Sequence, residues 1–200
     1  MDILSSLLKK LNNKNMLNII IIRGYYSKGD SVECVNVDGV KVKVTTVALG
    51  RPVFVKRKLK RIIHKYNINS GKYDLIYAIS MSAGISSLID EALYEKLHLI
   101  TPFFIHHKTM RVLRKVRLRK MLGAYFLLLM NGKLGKFNEA IRVTLAEHDN
   151  IVDNGFFEST WGSVELLEGI DHTLSKEVVE DVIRKDILNL RNEVLDDKVD

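Results

Sequence analysis

The chain has 200 residues, 46% of them apolar, with 31 lysines and arginines against 24 aspartates and glutamates and a formal net charge of +7. That length fits one domain, or one domain with an appendage, and that apolar fraction excludes a wholly disordered polymer. A single cysteine, Cys34, excludes both an internal disulfide and a cysteine-based zinc cluster.

Ile3, Leu4, Leu7, Leu8 and Leu11 recur at helical spacing and predict a short amphipathic helix over 2–12. Residues 17–23 follow as an apolar run expected to be a buried strand, closed by turn residues at Gly24 and Lys28-Gly29-Asp30. Val32, Cys34, Val35 and Val37, then Val40, Val42, Val44 and Val47, alternate with polar residues on either side of Asp38-Gly39. Such a pair supplies the two positive φ angles of a type I′ turn, so a hairpin is predicted over about 31–49, with Cys34 buried as a small hydrophobe. Apolar residues at 55, 59, 62, 63 and 66 then define a helix whose other side carries Lys56, Arg57, Lys58, Lys60, Arg61 and Lys65.

The middle reads as a β-α-β unit: a strand over 73–79, a small-residue loop over 80–87, a helix over 88–97 and a strand near 99–105. Beyond it the pattern predicts a long helix over 107–131 and another over about 138–148. An irregular stretch follows over 150–172. A last helix over 176–195 starts from Ser175 as N-cap, with Val178, Val179, Val182, Ile183, Ile187, Leu190 and Val194 on one side. The fold class is therefore α/β or α+β, with an N-terminal hairpin and small sheet, a central β-α-β unit and a helical C-terminal half. Residues 1–137 are expected to form a basic mixed domain and 138–200 an acidic helical segment packed on it, or the two to form one domain.

Charge is segregated along the chain. Residues 1–138 hold 25 bases and eight acids, whereas 139–200 hold 16 acids and six bases. No acid occurs over 39–73 or 96–138. Within the second of these stretches Lys108, Arg111, Arg114, Lys115, Arg117, Arg119 and Lys120 point all round a helix axis, mixed with apolar residues. A concentrated basic surface attracts polyanions. The function expected from sequence is non-enzymatic binding of DNA or RNA, with the 56–65 face and the 108–120 segment contacting phosphates and little base readout. The alternative is an assembly protein, viral or from a mobile element, whose basic and acidic surfaces interlock; a homo-oligomer would form through the 176–195 helix or the apolar 121–130 segment. A third reading is an enzyme binding a phosphorylated small molecule on the 80–87 loop, where Ser80, Ser82, Gly84, Ser86 and Ser87 offer hydroxyls and one flexible residue between a strand and a helix.

Over residues 78–92 this loop, with one residue more, resembles the serine-rich phosphate loop of SIS-type sugar-isomerase domains. The likeness is to a phosphate-binding loop, in line with a phosphorylated small molecule as the ligand. Otherwise there is no nucleotide-binding, kinase or nucleophile-elbow motif, and no cofactor or metal is expected. The longest apolar runs, 16–22 and 121–130, fall short of the ~20 residues that cross a bilayer, and residues 1–22 do not read as a secretory signal. A cytoplasmic location, or a virion if the chain is viral, is the expectation.

Overall fold

Four consecutive isoleucines, Ile19 to Ile22, can all be buried only where both faces of a strand are covered, and they form the middle of an interior strand of the sheet. The computed structural model describes residues 16–25, 27–51, 53–105, 129–149, 154, 164–172 and 174–196. Within them, β1 (Leu17–Tyr25) pairs in parallel with β3 (Val40–Gly50) on one side and β4 (Leu75–Ile79) on the other. From β4 the sheet continues in parallel through β5 (Leu97–Ile100), β6 (Arg142–Ala146) and β7 (Glu165–Leu167). The remaining strand, β2 (Ser31–Val37), lies antiparallel on the outer edge of β3, giving the order β2-β3-β1-β4-β5-β6-β7.

Each face of the sheet has its own core. On one, Ile20, Ile22, Ile76, Ala78, Leu97, Leu99, Val143 and Leu145 meet Val55, Leu59 and Ile62 of helix α1 (Val55–Lys65) and the 3-10 segment Ser80–Ser87. On the other, Ile19, Ile21, Val42, Leu75, Tyr77 and Ile100 meet Val182, Ile183 and Ile187 of helix α2 (Lys176–Asp196). Alternate residues of each strand thus serve opposite cores, as a period of two requires. The apolar stripe of α2 is spent on its own sheet.

The connection from β1 to β3 has a consequence for the surface. Parallel neighbours are usually joined by a helix that covers one face of the sheet. Here the connecting chain passes through 27–30 and forms β2, a strand within the sheet. The α2 side of β1 and β3 is consequently left as one wall of an open crevice.

The hairpin follows its sequence, with Asp38 and Gly39 at φ 50° and 89° and a pairing that closes at Val37 opposite Val40. Ser175 Oγ accepts from the Val178 N–H at 3.4 Å at the start of α2. Four expectations are corrected. Cys34 is exposed rather than buried, because β2 is an edge strand. The helix expected over 138–148 is instead strand β6: residues 143–146 are buried on both faces, and pairing with β5 overrides a short apolar run that either period can fit. The helix expected over 88–97 shortens to a 3-10 turn at Glu91–Lys96, and β7 arises within the stretch taken as irregular. Among the described residues beyond 137, strands β6 and β7 thus accompany helix α2. The predicted helix over 2–12, and 107–128 of the long one, lie outside the described residues; Leu129 to Asn131 are helical.

Candidate active site

The strand order reverses at β1: β3 follows it on one side, and β4 to β7 follow in sequence on the other. In open α/β sheets the crevice outside the carboxyl ends of the strands at such a reversal is where ligands bind, because the loops there diverge to opposite faces. Gly24 and Ser80 face each other at that point. A Cβ on Gly24 would come within 2.6 Å of the Ile79 carbonyl oxygen and 2.9 Å of Ser80 Cβ, so only glycine lets β1 lie this close to the turn. Gly24→Ala is expected to push the Ser80 turn outward and to lower stability by about 1–3 kcal/mol. Thermal melting reads that cost, and an unchanged melt would show the contact to be slack.

Ser80 occupies the left-handed region at φ 54°, where a non-glycine residue is uncommon and strained. The turn swings its side chain out between β4 and the 3-10 segment that begins there. Its Oγ lies 2.9 Å from His172 Nε2, and His172 Nδ1 lies 2.7 Å from Asp149 Oδ2. Asp149 and His172 stand just beyond the carboxyl ends of β6 and β7, on loops tied together by His148 N–H to Ile170 O and Glu147 N–H to Leu167 O. The Asp149 side chain is 1% exposed and that of His172 10%.

These distances determine the proton positions. A carboxylate only accepts, so His172 Nδ1 carries the hydrogen, and in the neutral ring Nε2 presents its lone pair to the Ser80 hydroxyl. Ser80, His172 and Asp149 therefore form one hydrogen-bonded relay: a hydroxyl, a base and a carboxylate that orients the base.

Ser80 and His172 line a cavity of about 1190 Å³ that runs between α2 and the β2-β3 hairpin, bordered also by Arg23, Gly24, Met81 and Phe103. Arg23 donates through Nη2 to the carbonyls of Lys28 and Gly29 at 2.7 and 2.8 Å. Its Nε is buried without a partner. A buried guanidinium nitrogen lacking an acceptor is costly, while the part of the Arg23 side chain that lines the crevice keeps a positive charge at its wall. At its far end the crevice is closed by Arg184, which grips Asp38 at the hairpin tip through two bonds of 2.9 Å.

The serines expected to cradle phosphate are otherwise engaged, apart from Ser80. Ser82 Oγ donates to Ile22 O or Ile79 O, at 2.6 and 2.9 Å, and Ser87 Oγ lies 3.0 Å from Gly84 O. Ser86 Oγ accepts from Lys136 N–H and Ser87 Oγ from Gly135 N–H. Gly84 faces Leu134, whose side chain a Cβ would approach to 2.6 Å. Most of this loop is a packed support, and only its first two residues, Ser80 and Met81, reach the crevice.

The basic face of α1 is a separate surface. Lys56, Arg57, Lys60 and Arg61 recur at i, i+1, i+4 and i+5, are exposed, and have no ion-pair partner among the described residues. Lys58 Nζ donates to Arg51 O at 2.6 Å, and Lys65 pairs with Asp30 at 3.0 Å. Hydrogen bonds from Tyr66, the Ala48 N–H and Lys65 hold the Asp30 carboxyl down at about 2. Among the described residues, no acid of α2 clasps this face. Asp186 serves His98 and Arg142, while Lys176 pairs with Glu180. Lys108, Arg111, Arg114, Lys115, Arg117, Arg119 and Lys120 lie outside the described residues.

Sequence reading reached Ser80 only as one serine among several and missed His172 and Asp149. Ser80 is 92 positions from His172, which is 23 from Asp149, so no short motif contains them. The available signal was positional: each follows a strand at its carboxyl end, but two of those strands were not recognised. The sequence matches no protein-family model and no curated protein.

Proposed function

We propose that this protein is an enzyme that binds a small anionic ester in the crevice and transfers or hydrolyses its acyl group, with Ser80 as nucleophile. The observation that carries this reading is the unbroken hydrogen-bond relay from Ser80 through His172 to Asp149 at the wall of an open cavity. Two features add to it. The nucleophile stands on a strained strand-to-helix turn, and the order along the chain is serine, aspartate, histidine, as in nucleophile-elbow hydrolases.

In this reaction Ser80 Oγ bonds to the acyl carbon as its proton passes to His172 Nε2. Asp149 holds the imidazole in the accepting tautomer and stabilises the imidazolium that forms. In nucleophile-elbow hydrolases the N–H of the residue after the nucleophile stabilises the developing oxyanion, and in this chain that residue is Met81. His172 then returns the proton to the leaving oxygen, and water or a second hydroxyl releases the acyl group by the same path reversed. Arg23 receives the anionic part of the substrate.

A fluorophosphonate probe tests the assignment. One adduct per chain is expected, located to Ser80 by peptide mass and absent in Ser80→Ala. A protein left unmodified under conditions that label ordinary serine hydrolases would exclude Ser80 as nucleophile. The four unpaired cations of α1 support a second reading, contact with the phosphates of a polyanion such as DNA or RNA. An electrophoretic shift that weakens steeply with salt is its measurement.

A further inference from the structure

The basic face of α1 does not stand alone. Among the described residues few large apolar side chains are exposed, and three of them gather at the N-terminal end of this helix: Val53, Phe54 at 51% and Leu129 at 83%. Val53 and Phe54 immediately precede α1. Leu129 is brought to the same end by Asn131, whose side-chain oxygen accepts from the Lys56 N–H at 3.0 Å and so caps the helix from a remote segment. Phe54 is held at φ 55°, ψ 43°, a left-handed conformation that a bulky aromatic avoids. Strain is thus tolerated at a position whose side chain gains nothing by burial and points into solvent.

Apolar side chains projecting beside exposed cations fit one kind of surface well. We infer that this end of the molecule docks on an anionic lipid bilayer, with Val53, Phe54 and Leu129 entering the boundary between headgroups and acyl chains. Lys56, Arg57, Lys60 and Arg61 meet the lipid phosphates. A nucleic-acid backbone would use the cations but offers nothing to a strained, exposed phenylalanine and a leucine of 83% exposure. Gly50, the carboxyl end of β3, leads into Val53 and Phe54, so the docking end belongs to the same edge of the sheet as the crevice. The inference is independent of the chemistry assigned to Ser80.

Co-sedimentation with vesicles tests it. Wild-type protein is expected to pellet with phosphatidylcholine vesicles containing phosphatidylserine and to remain in solution with phosphatidylcholine alone. Lys60→Gln with Arg61→Gln should weaken binding roughly 30-fold, at about fivefold per cation. Phe54→Asn with Leu129→Ser should weaken it on the order of tenfold or more. Asparagine tolerates the left-handed backbone, so this variant keeps its melting temperature. Failure of the wild type to bind acidic vesicles would overturn the proposal. So would binding lost with the charge pair, unchanged in the apolar pair, and displaced by an oligonucleotide; that pattern identifies a nucleic-acid surface.

Discussion

Asp186→Ala is expected to destabilise the protein by about 3–5 kcal/mol, the range found when one partner of a buried ion pair is removed. Asp186 is 5% exposed, yet three donors converge on it. Tyr77 OH and His98 Nδ1 reach Oδ2, each at 2.8 Å, and Arg142 Nη1 reaches Oδ1 at 2.8 Å. These come from β4, β5 and β6, so one carboxylate pins α2 across three strands. Alanine leaves a buried phenol and a buried imidazole without their acceptor, in addition to removing the charge. At this chain length the melting temperature should fall on the order of 10 °C.

The same cluster predicts how the effect depends on pH. Burial by itself would raise the Asp186 carboxyl. The hydrogen bond and charge of His98, the charge of Arg142 and the Tyr77 hydroxyl outweigh it and leave the group below its ordinary value. Tyr77 is pushed well above its own, by burial first and then by the Asp186 charge, so it remains a donor. A carboxyl lowered in the folded state contributes stability that is complete above its unfolded value near 4 and is lost as pH falls through the folded value. The gap in melting temperature between wild type and Asp186→Ala should therefore be widest near neutrality and shrink below about pH 4. Equal melting temperatures at pH 7 would mean that the cluster does not hold α2 in place.

His172→Ala should slow fluorophosphonate labelling of Ser80 by roughly 10²- to 10⁴-fold, the usual contribution of a positioned general base, without a comparable loss of stability. Its ring is the sole acceptor described for the Ser80 hydroxyl within the crevice. Asp149→Asn is the sharper variant. An amide nitrogen placed against His172 Nδ1 would donate to it and drive the hydrogen to Nε2, so the ring could no longer accept from Ser80. That variant should retain its melt and lose labelling nearly as fully as His172→Ala. Labelling at the wild-type rate in both variants would reduce the three residues to a structural tie between loops.

How much of this was legible in the sequence varied with the range of the interaction involved. The hairpin was legible because Asp38-Gly39 carries its own turn geometry and flanking valines alternate with polar residues. Helix α1 was legible because its apolar and basic sides separate at a period of 3.6. Neither depends on distant residues. Strand β6 was not, since Ile141, Val143 and Leu145 fit a short strand or one face of a short helix equally well, and only β5 beside them selects the strand. For Cys34 the alternation was read correctly and the inference of burial was not, because a sequence does not reveal which strand ends up at the exposed edge of the sheet.

The amino-acid order by itself determined a core of mixed α/β class, the hairpin and the one-sided cation face of α1, all written in periodicity and local turn chemistry. Only the tertiary structure decided that β1 stands at the reversal of the sheet and that Ser80, Asp149 and His172 meet at its carboxyl edge. Neither fact follows from local pattern, because side chains at the ends of different strands become neighbours only once the order of the strands is set. That order is chosen by which apolar faces bury one another across the whole sheet.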